Sequence, residues 1–305
     1  MRVTTLAQQT FTLAQIQSLQ SRIADQNIAI TSGKTAQRYS GIAEEAKRLV
    51  SLEATHVQLT GFVTNNNLVD QSLQSMESSM SQLVDIANDF RTALIESLNS
   101  NNAASSGIDI EAQNLLQQVA SMLNTEFDGR YLFAGSKTDT APVDLNDPGF
   151  LPPPAVYPGT ADTSYYQGDQ ETLSARASAD LTISYGVRAD EAAVEKLVRA
   201  IHLTATATVS PVPDTARLNE SLRLMAEVID ELPLVVSRIG VARASLEIAN
   251  AGHDETLLYA EQTIGELANT NLTEAITFLS ADRSTLEASF ATLAQMSSIS
   301  LLRFL

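Results

Sequence analysis

Residues 69–94 of the chain have the sequence VDQSLQSMESSMSQLVDIANDFRTAL, in which apolar residues recur alternately after four and three positions. The recurring residues are Val69, Leu73, Met76, Met80, Leu83, Ala87, Phe90 and Leu94. Side chains at these spacings share one face of an α-helix, so the stretch predicts a long helix with one apolar seam.

A second stretch repeats this pattern nearer the carboxyl end of the chain. Its seam consists of Leu218, Leu222, Met225, Ile229, Leu232, Val236 and Ile239. Pro233 interrupts the stretch and predicts a kink or a break there. Two seams of similar length on either side of a middle segment predict an antiparallel helical bundle.

The middle segment has a different composition. Six of the nine prolines lie within residues 142–158, and eight of the sixteen aromatic residues lie within 127–185. Strands are predicted at 130–135, directly after the turn signal Asp128-Gly129, and at 181–186, where apolar and polar residues alternate. We therefore expect a small β-rich insertion over about residues 130–188.

Turn and capping residues predict where the neighbouring helices end. The polar stretch from Asn99 to Gly107 predicts a chain reversal, followed by a shorter helix over about 108–126. Asp190, followed by Glu191, predicts the start of the next helix, with Asp190 as its N-cap.

Both chain ends have their own helical seams. The amino-terminal seam contains Leu6, Leu13, Ile16, Ile23 and Ile30. The carboxy-terminal seam contains Leu272, Ile276, Leu279, Leu286, Phe290 and Leu293. Each end therefore predicts an amphipathic helix of about thirty residues. The structurally simplest alternative is that these helices only complete the bundle.

An energetic estimate favours a role in assembly. Burial of about eleven seam side chains contributes roughly 15–35 kcal/mol, whereas ordering about sixty residues costs roughly 1–2 kcal/mol each. The isolated pair is therefore predicted to be marginal. We expect the terminal helices to order when neighbouring copies cover their seams.

These patterns predict a mainly α fold: a long antiparallel helical bundle or coiled coil with both terminal helices paired, plus a small β-rich inserted domain. Residues 1–35 and 265–305 would form a terminal coiled-coil assembly domain. Residues 36–129 and 189–264 would form a helical bundle domain, and residues 130–188 a surface insertion.

The charge of the chain argues against two classes of partner. Nineteen basic residues face 36 acidic ones, for a net charge of −17. Nucleic acids and anionic membrane surfaces are held by Lys and Arg, so neither is expected as a partner. No apolar run approaches the length of a membrane span, and the first residues do not resemble a Sec-type signal peptide. We expect export by a route without a cleaved signal.

Residue patterns typical of catalysis or metal binding were sought as well. The chain has no Cys, and His56, His202 and His253 fall in no metal-ligand motif. The acidic turn beginning at Asp144 lacks the Glu that a calcium loop requires at its twelfth position, where Ala155 stands. We predict no catalytic residue, no metal and no cofactor, and hence no enzyme.

Four stretches of the sequence resemble the flagellin family, and they occur in the family's order along the whole chain. They are residues 127–140 (FDGRYLFAGSKTDT), residues 165–169 (YYQGD), Ser32-Gly33-Lys34, and residues 272–275 (LTEA) with the closing residues 300–305 (SLLRFL). Asn271 stands where the family often has Asp. Residues 35–41 differ from the Asn-Ser…Asp-Asp run of most flagellins, which weakens the case for the major filament protein.

The resemblance implies a structural subunit of the bacterial flagellum that joins hook to filament by polymerising through its terminal helices. It implies an extracellular location after export by the flagellar type III apparatus with a dedicated export chaperone. Expected partners are copies of the same chain, a neighbouring hook-associated protein and flagellin subunits. The nearest alternative is flagellin, the major filament subunit. A more distant alternative is a soluble helical signalling or scaffold coiled-coil protein.

Overall fold

A computed structural model describes residues 2–35, 45–99, 107–209 and 212–302, and the side chains of residues 10–295 within these ranges. These ranges form helices α1 (Arg2–Ser32), α2 (Ala46–Asn99), α3 (Ile108–Leu123), α4 (Ala192–Ala205), α5 (Thr215–Ala268) and α6 (Leu272–Leu302). They also form strands β1 (Glu126–Phe127), β2 (Arg130–Tyr131), β3 (Ser174–Arg176) and β4 (Thr182–Ser184). The predicted fold class, mainly α with a small inserted sheet region, is confirmed.

The chain divides into two compact units. One unit contains residues 1–58 and 255–305, and the other contains residues 59–254. The long helices α2 and α5 each contribute residues to both units.

The core of the second unit is built on the α2 seam. All eight residues of the predicted seam are buried, with Val69 the most exposed at 8 %. A helix that packs on just one side buries a single stripe of side chains. The spacing of its apolar residues therefore predicts that stripe directly.

Helix α5 buries a wider surface than its predicted seam. Leu218, Met225, Leu232 and Ile239 are buried as expected, whereas Leu222, Ile229 and Val236 are only partly covered. Its buried face also includes Leu224, Val228, Val235, Ala242 and Leu246. The buried face is therefore rotated relative to the predicted seam over part of its length.

Helix α4 is the most completely buried element of the second unit. Every residue from Val194 to Thr204 is buried except Lys196, which is partly covered. Among the buried residues are three ionisable ones, Glu195, Arg199 and His202. Their polar atoms must therefore find partners inside the fold.

The insertion contains two short hairpins and otherwise irregular chain. In the first, β1 and β2 are antiparallel, with Phe127 opposite Arg130. The two loop residues Asp128 and Gly129 have φ of 51° and 70°, as a two-residue turn with positive φ at both positions requires. In the second, β3 and β4 pair with Ala175 opposite Ile183.

The two predicted strands are shorter than expected, since only 130–131 and 182–184 are strand. After Tyr131 the backbone bonds of the chain go to several separate partners rather than to one neighbouring strand. The carbonyl of Phe133 accepts from Ala189 N–H, and that of Ala134 accepts from Asp169 N–H. Leu132, Phe133 and Ala134 are nevertheless buried, which explains their strand-like apolar pattern.

The predicted break at Pro233 and the predicted N-cap of α4 were wrong, while a kink at Pro233 stays a prediction. Helix α5 continues through Pro233 without a break. The buried neighbours Leu232 and Val235 hold the helix on the core, while Pro233 itself is exposed. Helix α4 begins after Glu191 and not after Asp190, whose carboxylate instead bonds the Arg188 guanidinium at 2.9 Å.

The shorter helix predicted at about 108–126 is confirmed as α3, which ends at Leu123 with Asn124 as its C-cap. Asn124 then anchors the following segment, because its side chain donates to Val143 O and accepts from Val143 N–H. The predicted chain reversal falls mostly on residues 100–106, which lie outside the described ranges.

Candidate assembly interface

The terminal helices α1 and α6 are each 31 residues long, as predicted, and pack antiparallel against each other. At one end of the pair Lys34 bridges to Asn269, and further along Arg22 bonds Asp282. From Arg22 to Lys34 the residue numbers rise, whereas those of the residues they contact fall from Asp282 to Asn269, as in an antiparallel pair.

Local sequence explains why α1 ends and α6 begins at the same end of the pair. Helix α1 stops at Ser32 because Gly33 takes a φ of +70°, the left-handed conformation that ends many helices. Gly33 O then accepts a hydrogen bond from Thr270 N–H. Asn271 caps α6, since its Oδ1 accepts from Glu274 N–H at 3.3 Å. Asn271 therefore performs the capping that the family's Asp would also provide.

Only a small part of the two predicted seams is fully buried in the pair. Ile16 is 4 % exposed and Leu279 is 9 % exposed. Leu19, which lies off the predicted seam, is also buried. Four further predicted residues are half-buried: Ile23, Ile30, Leu286 and Leu293. Leu6 lies outside the residues whose side chains are described.

The other predicted residues remain open to solvent. Leu13, Leu272, Ile276 and Phe290 are 46–50 % exposed. Three large apolar residues that the seam pattern missed are exposed as well: Phe11, Ile28 and Phe278. We call these seven residues the terminal apolar face, although they lie on more than one side of the pair, since Phe11 and Leu13 are about 200° apart around α1. An aromatic residue next to a helical seam is the sequence signal that would have found Phe11 and Phe278.

Charges are sparse on this surface. The described charged side chains are Arg22 and Asp25 in α1, and Glu274, Asp282, Arg283 and Glu287 in α6. Arg22 Nη2 lies 2.7 Å from Asp282 Oδ1, and Gln26 donates to the other oxygen of the same carboxylate. Few charges would have to be desolvated if another apolar surface covered this pair.

The energy that the terminal apolar face offers can be estimated. Covering seven half-exposed large side chains contributes on the order of 5–10 kcal/mol. The loss of translational and rotational freedom on association costs roughly 4–15 kcal/mol. One such contact would therefore be weak by itself, and a stable assembly would need further contacts for each subunit.

The two insertion stretches that resemble the flagellin family contact each other. Ser136 donates to Asp169 through both its N–H and its hydroxyl, and these hydrogen bonds lower the pKa of the Asp169 carboxyl. Tyr165 is fully buried and donates to Ala189 O, and its burial raises the pKa of the Tyr165 hydroxyl. Tyr166 donates to Asp169 O. These contacts fix the fold of the insertion.

The ionisable residues of α4 hold a neighbouring Pro-rich segment in place. Glu195 accepts from Asp162 N–H at 2.9 Å, and Arg199 donates to Gly159 O. Burial raises the pKa of the Glu195 carboxyl and lowers that of the His202 imidazole, which stacks on Phe150 at 4.4 Å. Shifted pKa values mark many active sites, but Glu195 and Arg199 bind backbone atoms and so have a structural role.

The other histidines also have structural contacts. His253 is buried, stacks on Phe62 and contacts Ala177 O at 2.8 Å. The Nε2 atom of His56 lies 3.1 Å from the Oε1 atom of Glu261. In the ranges that the structure describes, no three His, Asp or Glu side chains are grouped so that they could hold a metal ion. Within the same ranges, no helix combines the length and apolarity that crossing a membrane requires.

Residues 3–138 match the family model of the bacterial flagellin N-terminal helical region. The match includes Ser32-Gly33-Lys34 and residues 127–138, so it confirms the resemblance to the flagellin family for this part of the chain. Comparison with curated proteins finds no significant match.

Solved flagellar proteins share the fold. FlgL from Bacillus cereus is 15 % identical, with 72 % of this chain and 99 % of that chain covered and a TM-score of 0.56. Hook-associated protein 3 from Legionella pneumophila is 16 % identical, with 74 % and 98 % covered and a TM-score of 0.54. FlgL from Xanthomonas campestris is 13 % identical, with 70 % and 98 % covered and a TM-score of 0.54.

Proposed function

We propose that this chain, whose residues 3–138 match the model of the bacterial flagellin N-terminal helical region, is a structural subunit of the bacterial flagellum that joins hook to filament. The observation that carries the proposal is the terminal apolar face, where seven large apolar side chains lie exposed on two paired helices. Surfaces of this kind usually mark sites of protein association. The subunit would polymerise by covering this face with neighbouring subunits, without catalysis.

The shared fold and the small insertion support the junction over the bulk filament. The similar structures are named FlgL or hook-associated protein 3, and 98–99 % of each is covered by this chain. Their identities of 13–16 % establish a common fold, so the junction role comes to this chain by analogy. The alternative within the family is flagellin itself.

Each of the three proposed domains would have its own role in the assembled structure. Residues 1–35 and 265–305 would form the assembly domain, residues 36–129 and 189–264 the helical domain, and residues 130–188 the insertion facing solvent. Partners would be further copies, a neighbouring hook-associated protein and flagellin. Before assembly, an export chaperone and the type III apparatus would carry the chain out of the cell.

A soluble helical scaffold protein is the alternative from another class. Such a protein would need its terminal helices ordered in the isolated molecule, whereas an assembly subunit can order them on polymerisation. Circular dichroism of the chain with and without residues 1–35 and 265–305 separates the two. A gain in helicity per residue on trimming supports the assembly subunit, and unchanged helicity favours the scaffold.

Quantitative mass spectrometry of purified, hook-attached flagella tests the proposed function. A small, fixed ratio to flagellin, with the protein remaining on the hook when filaments are sheared beyond the junction, is the expected result. Dominance in the sheared filament fraction would identify flagellin instead. Absence from both fractions would contradict a flagellar role.

A further inference from the structure

Helix α5 carries a second apolar row on the side opposite its core seam. Leu234, Val241 and Ile248 lie seven residues apart and are 65–74 % exposed. The residues that follow each of them in the row are small and also exposed: Ser237, Ala244 and Ala251. We call these six residues the back seam; all six belong to the second compact unit.

The spacing of the back seam separates it from scattered surface hydrophobics. Its six positions alternate steps of three and four, which is the 3.5-residue period of a coiled-coil seam. Single exposed aliphatic residues are ordinary on protein surfaces. A helix with two opposite apolar seams is instead typical of one that packs on both sides. Within the described residues, the side of α5 that faces the core is covered and the back seam is not.

The shape of the back seam indicates what kind of partner fits it. Large side chains every seven residues, with Ser and Ala between them, leave room for the backbone of another helix to approach closely. The three large residues span about 21 Å of helix and expose about 350 Å². This area is well below the ~800 Å² per partner of a stable independent complex. The partner must therefore be held next to α5 by other contacts.

A second copy of this chain satisfies that requirement. The argument rests on the proposed function, in which the terminal apolar face already joins neighbouring copies but is weak by itself. In such an assembly, every copy presents the same surfaces to its neighbours, so a small lateral contact is repeated at each subunit. Its contribution would add to that of the terminal helices.

The first turns of α2 present a matching surface. Val50, Ala54 and Val57 are exposed and continue the same alternation of steps of four and three. Lys47 lies one turn before them, whereas Asp230 and Glu247 lie beside the back seam, and all three are exposed. The two surfaces thus agree in spacing. Their charges are mixed, since the exposed Arg238 also lies beside the back seam and Glu53 lies beside Val50 and Val57, so the pairing rests on spacing and not on charge.

We propose that the back seam of α5 in one copy packs against residues 46–58 of α2 in the next copy. The two surfaces are different, so the contact is heterologous, and repetition of a heterologous contact builds rings or helical filaments. The back seam would be a lateral interface in addition to the terminal one.

Cysteine cross-linking tests this pairing, since the chain contains no Cys of its own. The double variant Val57→Cys/Val241→Cys is expressed in the source bacterium, and hook-attached flagella are treated with a short bismaleimide. We expect a ladder of dimers, trimers and larger species on a denaturing gel. Each single-cysteine variant should stay monomeric. Dimers from Val241→Cys alone, or links to a different protein, would overturn the assigned partner.

A charge-insertion pair tests the contribution of the seam to assembly. Val241→Glu/Ile248→Glu should reduce the amount of chain in flagella by about tenfold or more, as expected when central interface contacts are lost. The matched control Gln71→Glu/Gln74→Glu adds the same charge at exposed polar positions of α2 and should incorporate normally. Equal incorporation of both variants would overturn the lateral interface.

The outcomes also separate this inference from the proposed function. If the wild-type chain is present in flagella and the double-cysteine variant gives no ladder, only the lateral interface is wrong. If the wild-type chain is absent from flagella, both proposals are wrong.

Discussion

At the scale of single residues, Gly135 and Gly168 are the most constrained positions of the insertion. Gly135 has a φ of +69°, and a Cβ there would lie 2.8 Å from Asp169 O. A Cβ on Gly168 would lie 2.5 Å from Ala134 O. Both contacts involve backbone atoms, which cannot move aside as a flexible side chain would. The two stretches that resemble the flagellin family therefore depend on glycine where they meet.

Gly168→Ala should lower the free energy of unfolding by about 2–4 kcal/mol, because the added methyl group forces the two stretches apart. Urea denaturation measures the change. The matched control is Gly61→Ala in α2, where nothing lies within 4 Å of the new methyl group. That substitution should stabilise the protein by about 0.5–1 kcal/mol, since Ala favours helix over Gly. An equal effect of both substitutions would contradict the described packing.

His202 makes a pH-dependent contribution to stability. Burial lowers the pKa of its imidazole below the ordinary 6.5, and Arg217 lowers it further, while Asp162 opposes the shift. The unfolded chain therefore takes up the proton more readily than the folded chain. The contribution of His202 to the free energy of unfolding is therefore complete above pH 6.5. It is lost as the pH falls from 6.5 toward the pKa of the folded state.

The substitution His202→Phe keeps an aromatic ring against Phe150 but removes the titration. We expect the variant to lose less stability than the wild type between pH 7.5 and pH 5, as measured by urea midpoints at both values. Parallel pH profiles for wild type and His202→Phe would show that burial does not shift this pKa.

At the scale of elements, α5 shows how packing overrides a local signal. Pro233 removes one backbone N–H from the helix, yet α5 runs from Thr215 to Ala268 without a break. A proline in a helix interior costs about 3 kcal/mol relative to Ala. The buried residues around it evidently offset this cost.

Pro233→Ala should therefore raise the free energy of unfolding, by about 1–3 kcal/mol, because the helix gains a hydrogen bond and loses a steric clash. The position is exposed, so no core contact is lost. Thermal unfolding followed by circular dichroism measures the change. A less stable variant would mean that the bundle depends on a bend at this point.

The same elements show how far periodicity predicts this fold. The α2 seam was predicted residue by residue, because α2 packs on one side. Helix α4 has one apolar stripe, which contains Val194, Leu197 and Ile201, but it is surrounded and buries Glu195, Arg199 and His202 as well. Its central place could not be read from its sequence. On α5, overlapping apolar rows left open which row faces the core and which faces solvent.

At the scale of the whole molecule, the sequence predicted the two terminal helices. It could not predict which of their seam residues are buried and which are exposed. Burial of Ile16 and Leu279 depends on the register of α1 against α6, which spacing within one helix does not define. The same register leaves Leu13 and Phe290 exposed. Their role in assembly stays a prediction, as does the ordering of the terminal helices on polymerisation.

Incorporation of Leu13→Asp tests the central claim most directly. The variant and the wild type are expressed together at equal levels, and mass spectrometry measures their ratio in hook-attached flagella. A charge on an exposed apolar contact residue should reduce incorporation by about tenfold or more, since the carboxylate would be buried without a partner. The neighbouring control Gln15→Asp, at an exposed polar position, should incorporate as the wild type does. A Leu13→Asp chain present at the wild-type level would contradict assembly through the terminal apolar face.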